Sequence, residues 1–424
     1  MGLIVDLHIH SRFSRATSKQ LTLPVIYHWA KIKGIDVIGT GDFTHPLWLK
    51  EIKEQLVPAE PGLFKLKSSL AKKEDNGLPK ILRSRQVRFI LTSEISNIYS
   101  RHGQTRRMHN ILIAPGISSA SKIISRLSKI GNLTSDGRPI LGLDSQELLQ
   151  ISLQTDPDNF FIPAHVWTPW FSLFGSKSGF DSVEEAFGHL SPHITAMETG
   201  LSSDPFMNWR WSALDHITFV SNSDAHSPQK LGREASLINT DLNYHQIISA
   251  IKTGKNFIGT IEFFPQEGRY YYDGHRACNV VFSPAQSKKR KNICPKCGKP
   301  LVLGVAHRVN SLSDRPPSFR PQKHKKVEYI IPLSELIAEA RGVKSVNSIT
   351  VQKQYFQLLS LLGDEFSILR AISPSDIKAF IPPDIARALL ALRQGKVHIR
   401  PGYDGVYGII STKSSSDKKQ MTFL

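Results

Sequence analysis

VDLHIHSRFSRAT, residues 5–17, is the stretch on which the reading of this chain turns. Apolar Leu3, Ile4, Val5 and Leu7 lead into Asp6, His8 and His10, after which the chain breaks into Ser and Arg. Residues two apart on a strand share a face, so His8 and His10 would stand side by side at the end of a rigid element. Neutral imidazoles paired in this way suit Zn, Mn or Fe. HxH alone fits a solvent-exposed strand end just as well, so the other strand ends must decide.

The first 255 residues read as alternating strands and helices. Short apolar runs lie at 3–10, 36–43, 87–96, 108–116, 159–167, 194–200 and 217–226. Helical patterns occupy 23–34, 118–131 and 145–153, and another follows at 242–255. That alternation predicts a parallel sheet or a barrel of βα units. Residues 50–86, rich in Lys, Pro and Gly, read as an insertion between the second and third strands.

Nearly every one of these strands ends in a metal-type residue. After His8 and His10 come Asp42 with His45 just beyond, Glu94, His165, Glu198, and Asp224 with His226. His109 falls at a strand beginning on this assignment and fits the rule least well. Ligands and catalytic groups in β/α folds gather at the C-terminal ends of strands. Each residue alone is best read as structural; the set is not. His with Asp and Glu, and no Cys, describes a borderline-hard catalytic ion. Eight or more donors exceed one ion and suffice for two or three, an arrangement suited to phosphoester hydrolysis.

At 424 residues, two or three domains are expected. No apolar run reaches membrane-spanning length. The N-terminus enters a strand pattern directly, without the features of an export signal. Three cysteines, all late, make no disulfide framework and predict a reducing, cytoplasmic setting. Charge is uneven: residues 1–240 hold 26 Lys+Arg against 22 Asp+Glu, and residues 241–424 hold 28 against 14. The second half is therefore the expected polyanion-binding half, with nucleic acid the obvious partner and a generic basic surface the alternative.

The carriers HIH at 8–10, GTGD at 39–42, SE at 93–94, His109, PAH at 163–165 and SDAH at 223–226 resemble the PHP (polymerase and histidinol phosphatase) superfamily. The resemblance implies an α/β fold, a PHP-type distorted seven-stranded β/α barrel. It also implies metal-dependent phosphoesterase activity and His8, His10, Glu94, His109, His165, Asp224 and His226 as ligands. The family pattern has Asp-His in its second motif where this chain has Asp42-Phe43. Asp42 is kept in the ligand set, with His45 as a substitute. DLHIHSRFSRATSK, GTGDFTHP, SNSDAHSP, HRVNSL and RPGYDGVYG are similar to the endonuclease Q family of PHP-type DNA repair nucleases, over nearly the whole chain. That likeness implies a nick on the 5′ side of a deaminated base (hypoxanthine, uracil or xanthine) or an abasic site. Catalysis is assigned to Asp224, His226 and Glu94, with two or three divalent ions (Zn, Mn or Mg) as cofactors, as the donor set suggests. Two other readings remain: a small-molecule phosphatase of the histidinol phosphatase kind, and a DNA-binding accessory protein with a non-catalytic metal site.

His275-x2-Cys278, fifteen intervening residues, then Cys294-x2-Cys297 matches a two-knuckle structural zinc site, with His307 as rival fourth ligand. Four protein ligands leave no open position, so this site is assigned to folding. The domains are read as 1–255, the metallophosphoesterase; 256–320, the zinc module; and 321–424, a mainly helical basic domain. Lys288, Lys289 and Arg290 between the knuckles are candidate DNA contacts. So are Arg101, Arg106 and Arg107, and the aromatics Trp167, Trp170 and Phe171 of the loop WTPWFSLFGSKSGF (167–180), which would hold or wedge a base unless buried by their own packing. The end SSSDKKQMTFL loosely resembles a sliding-clamp peptide without its full spacing, and a frayed tail is the simpler expectation.

Overall fold

A computed structural model describes residues 2–413. The clamp-like tail, 414–424, lies outside the described residues. In chain order the strands of the first half are β1 (Leu3–Asp6), β2 (Val37–Gly39), β3 (Leu56–Pro58), β4 (Phe64–Leu66), β5 (Arg88–Arg101), β6 (Gln104–Ala114), β7 (Ile140–Leu141), β8 (Phe160–Pro163), β9 (Ala196–Glu198), β10 (Thr218–Val220), β11 (Ala235–Ile238) and β12 (Phe257–Glu262). Helices Leu23–Lys33, Ile117–Leu127, Ser145–Thr155 and Tyr244–Thr253 fall where their periodicity places them. The second ends its sequence pattern early because Leu127 is the last residue to reach the core.

Sideways along the hydrogen bonds, β1 pairs parallel with β2 and β2 with β5. β5 runs antiparallel to β6, and β6 to β8. Beyond β8, Val166 N donates to Glu198 O (3.1 Å), and β9 pairs parallel with β10. His10 N donating to Ala225 O (3.1 Å) leads back to the residues that follow β1. The result is an α/β fold whose mixed sheets resemble a distorted barrel.

One expectation is corrected here. The 87–96 and 108–116 runs are not parallel strands but the inner parts of one long hairpin, β5–β6. Parallel neighbours need a crossover of a dozen or more residues, and the chain turns back at once at His102 and Gly103, both at positive φ. That places His109 in mid-strand opposite Ser96, within reach of the barrel mouth. The lysine-rich 50–86 segment forms the β3–β4 hairpin and helix Ser68–Asn76, with β4 added at the edge of β5.

β11 and β12 extend the sheet beyond β1, and β15 (Lys326–Tyr329) adds a parallel edge strand to β12. Residues on both sides of 256–320 thus share the main sheet. Between them β13 (Asp273–His275) and β14 (Val280–Phe282) form a small antiparallel pair around Val280, Cys294 and Leu301. Helices Leu333–Arg341, Ile349–Leu362, Pro374–Phe380 and Pro383–Arg393 form the C-terminal unit. It packs on the barrel through the shared apolar core, and a buried Lys33–Glu365 pair (2.6 Å) with Arg85–Asp364 (3.0 Å) ties the two. β16 (His398–Arg400) and β17 (Ile409–Ser411) close the described chain. Among the described residues no helix is long and apolar enough to cross a membrane.

Candidate metal centre and its surroundings

The ends of β1, β8 and β10, with Glu94 and His109 from the middle of the β5–β6 hairpin, bring six side chains to one mouth of the barrel. His8, His10, Glu94 and Asp224 each offer a donor atom within 4.8 Å of the others, and Glu94, His109 and His165 do the same. Glu94 belongs to both groups, and its two oxygens divide between them. Oε1 lies 2.7 Å from His109 Nδ1 and 3.1 Å from His165 Nε2. Oε2 lies 3.3 Å from His10 Nε2 and 3.5 Å from His8 Nε2. Asp224 Oδ1 adds contacts of 3.1 Å to His10 Nε2 and 3.7 Å to His8 Nε2.

The imidazoles are aimed by carboxylates behind them. Both oxygens of Glu198 lie 3.0 Å from His8 Nδ1, and the same carboxylate accepts from His165 N and Asn222 Nδ2. Asp42 Oδ1 lies 3.2 Å from His10 Nδ1, while its Oδ2 accepts from Ser11 N (2.7 Å), Ser11 Oγ (2.6 Å) and Ser14 Oγ (2.8 Å). Histidine ligands are held in this way, one ring nitrogen fixed and the other free. The backbone is strained where it delivers these groups: Asp42, His165 and Asp224 all have positive φ (49°, 30° and 44°). Such conformations persist only where surrounding structure over-determines them.

Electrostatics follow from this crowding. Burial opposes the ionisation of Asp224 and Glu94. The histidines, with Arg138 beside Glu94, nevertheless hold both carboxyls below their ordinary range. Burial lowers the His109 imidazole to about 4 against the pull of Glu94. His8 Nε2 is buried and has no hydrogen-bond partner among the described residues. A lone-pair donor orphaned in a ring of four imidazoles and two carboxylates is what a bound divalent ion would satisfy. The residues fit such ions.

The other residues expected at this mouth fall into different places. Asp42 sits behind His10 rather than in either group of donors. His226 lies against His10 with ring centroids 4.5 Å apart and the planes tilted by 55°, its Nδ1 2.9 Å from Asp224 O, and stays half-exposed. His45 faces Thr134 O at 3.3 Å and stacks on Phe13. Asp6 belongs to neither group and accepts from Ser223 N and Gly232 N, and burial lifts it to about 6. Sequence reasoning missed Arg138, whose Nη1 donates to Glu94 Oε2 at 3.1 Å. It lies 44 residues from Glu94 with no motif around it, so nothing local could have flagged it.

Beside the cluster lies a cavity of about 370 Å³ lined by His109, Arg138, His165, Trp170, Phe171 and Tyr270. Of the aromatic loop, Trp170 is 37% exposed, whereas Trp167 is buried at 1% and packs on Phe174 and Trp211. Phe171 lies against His109. Arg101 donates to Ala186 O and Gln146, and Arg106 to Gly179 O with its guanidinium over Phe180. Arg107 lies over Phe171. Arg106 and Arg107 thus brace the loop against the hairpin, while Arg101 ties the hairpin to residues 146 and 186. Behind it, Glu234 accepts from Leu201 N and Phe263 N, and Glu262 from Thr199 and Ser221 hydroxyls. Burial pushes Glu234 up to about 8 and, with Glu234 nearby, Glu262 well above its usual range.

Far along the chain, His275, Cys278, Cys294 and Cys297 converge within 4.8 Å. His307 instead lies 2.7 Å from Asp273 Oδ2, outside the group. Burial opposes ionisation of the Cys294 thiol, but the amides of Lys296 and Cys297 bring it down to about 6. A low thiol pKa favours the metal-binding thiolate. Lys288, Lys289 and Arg290 are exposed on and after the short helix Pro284–Lys289, between the knuckles.

Residues 332–396 match the family described as the MJ0043 C-terminal domain. The uncharacterized protein MJ0043 of Methanocaldococcus jannaschii is 33% identical over 278 residues, 62% of this chain and 34% of that one. This chain therefore spans about a third of that relative's length. The crystal structure of the lesion-specific endonuclease PfuEndoQ from Pyrococcus furiosus covers 100% of both chains at 30% identity, with a TM-score of 0.83. Endonuclease Q in complex with a 27-mer duplex bearing an abasic lesion at the active site matches 99% of this chain and 98% of that one, at 31% identity and a TM-score of 0.83. A likeness at that identity along the full length of both chains makes this protein a member of the endonuclease Q family.

Proposed function

We propose that this chain is a metal-dependent DNA endonuclease that hydrolyses the phosphodiester bond 5′ of a deaminated base (hypoxanthine, uracil or xanthine) or an abasic site. The observation that carries the reading is the division of Glu94, one oxygen toward His109 and His165, the other toward His8 and His10. Divalent ions held there (Zn, Mn or Mg) would activate water and neutralise charge on the leaving oxygen. Glu198 and Asp42 keep the imidazoles of His8 and His10 turned inward. Arg138 brings a fixed positive charge to the lip, where a phosphate would lie. His226 has Nδ1 against the Asp224 carbonyl, which leaves Nε2 to take a proton or a ligand.

The size and aromatic lining of the cavity suit a nucleotide turned out of the duplex beside the cluster. Trp170 and Phe171 of its wall are the base contacts we favour. We assign Zn to the His275, Cys278, Cys294, Cys297 knuckle and duplex binding to the basic second half, with Lys288, Lys289 and Arg290 on phosphates. The ring of β1, β2, β5, β6, β8, β9 and β10 is read as the seven-stranded PHP barrel, followed by a zinc module and a helical domain.

The test is a nicking assay on labelled duplexes, each with one hypoxanthine, uracil or abasic site, beside an undamaged control, with Mg, Mn or Zn and with EDTA. A metal-dependent cut 5′ to the lesion is expected. No cut on any duplex, with phosphate released from p-nitrophenyl phosphate instead, would hand the cluster to a small-molecule phosphatase.

A further inference from the structure

RPGYDGVYG, residues 400–408, carries no role in the reading above, yet backbone hydrogen bonds fasten it to residues 266–272. Gly402 N donates to Gln266 O (2.8 Å), Tyr272 N to Gly402 O (2.9 Å), Gly405 N to Arg269 O (2.9 Å) and Gly408 N to Glu267 O (2.9 Å). A Cβ on Gly402 would collide with the Gly268 carbonyl, and one on Gly408 with that of Gln266. Only glycine permits an approach this close. Tyr403 is anchored, its hydroxyl donating to Asn279 Oδ1 at 2.7 Å.

Tyr407 is not anchored. It is 64% exposed, has no aromatic partner among the described residues, and stands at the mouth of the cavity that reaches His109, His165 and Asp224. Its ring faces the Arg269 guanidinium, 5.2 Å from the centroid; that guanidinium also lies 6.0 Å from the Tyr270 ring and has no acidic partner among the described residues. Trp170, by contrast, packs edge-on against Tyr270 and belongs to the wall. The loop thus displays an exposed aromatic ring beside a cation whose charge no carboxylate among the described residues neutralises, and the cation–π contact between them is worth only about 0.5–1 kcal/mol at an exposed site. Duplex DNA offers a use for both. A nucleotide turned out into the cavity leaves a gap in the stack, which an aromatic side chain fills, while the neighbouring phosphate takes the cation.

We propose that Tyr407 is a wedge that stacks in the gap left by the extruded lesion nucleotide, with Arg269 on the adjoining phosphate; the proposal rests on the endonuclease reading. The test compares wild type, Y407A and Y407F in single-turnover nicking of one lesion placed either in a paired duplex or in a short unpaired bubble. Unpairing removes the work of opening the stack, so the wedge matters only for the paired substrate. Y407A is expected to lower the paired-to-bubble rate ratio about tenfold or more. Y407F, which keeps the ring, should hold the wild-type ratio. A 2-aminopurine beside the lesion should change fluorescence when wild type binds and not when Y407A binds. Equal loss on both substrates, or none on the paired one, would overturn the wedge while leaving the nuclease intact. Wild type cutting neither substrate would instead remove the endonuclease reading, and the wedge with it.

Discussion

The knuckle takes its four donors from residues 275–297, whereas the barrel cluster takes six from separate strands and the residues that follow them, spread between His8 and Asp224. The first is mostly sulfur, closed by short turns, and rests on a small apolar cluster of Val280, Cys294 and Leu301. The second mixes imidazole and carboxylate, shares Glu94 between its halves, and opens on a cavity. The contrast teaches where each site's stability comes from. Local turns with too little core depend on their ion to fold. Strand ends of a packed barrel are held by the core and by buried carboxylates, so the barrel can keep donors in place before an ion arrives.

Five measurements would break or sharpen that contrast. The largest effect is expected at the knuckle. Cys294→Ser should remove about 10 kcal/mol or more of metal-coupled folding. Limited proteolysis should then cut within 273–302 while the barrel's circular dichroism persists; a protease-resistant variant would show that the module folds without its ion. Next, Glu94→Gln should empty both halves of the barrel cluster, lowering metal content and slowing nicking by about 10³-fold, with the fold retained. Elemental analysis of the variant against wild type checks this, and loss of one half only would contradict the shared carboxylate. Asp42→Asn should cost less, about 10–100-fold, because it disturbs only the aim of His10. Metal titration compared with Glu94→Gln would rank the two.

A smaller effect should appear with pH. Folding raises Glu234 to about 8 and Glu262 well above its usual range, so the folded state holds these protons more tightly than the unfolded chain, where such carboxyls titrate near 4.5. Their contribution to stability is full below about 4.5 and is lost as pH rises through about 8. Melting temperature should fall across that window, and Glu262→Gln should flatten the fall. An unchanged slope would place the effect elsewhere. Smallest of all, replacing Lys288, Lys289 and Arg290 by Ala should leave the single-turnover rate near wild type. The slope of log affinity against log salt should become shallower by about 2–3, read from binding at several salt concentrations. An unaltered slope would take these residues out of the DNA interface.

The two sites also differ in how far they could be read in advance. The three knuckle cysteines and His275 were read from spacing with His307 left as a rival, and the structure gathers the first four while His307 turns to Asp273. His8, His10, Glu94, His165 and Asp224 were identifiable as strand ends, since period-two alternation sends such residues to one rim. His109 was placed at a strand beginning, because the sequence shows apolar runs but not that β5 and β6 continue past them into one hairpin. Arg138 and the orienting role of Glu198 carried no local signal at all.

By itself, then, the sequence determined what local spacing can encode: the knuckle, the main helices, the donor residues at strand ends and the basic second half. The tertiary structure alone decided what long-range pairing controls. It turned β5–β6 into an antiparallel hairpin, set Glu94 between two groups of histidines, bound Asp6 to backbone amides outside both groups, buried Trp167 and left Tyr407 exposed. Each of these depends on contacts between residues far apart in the chain, and those form only once the sheet has closed around a common core.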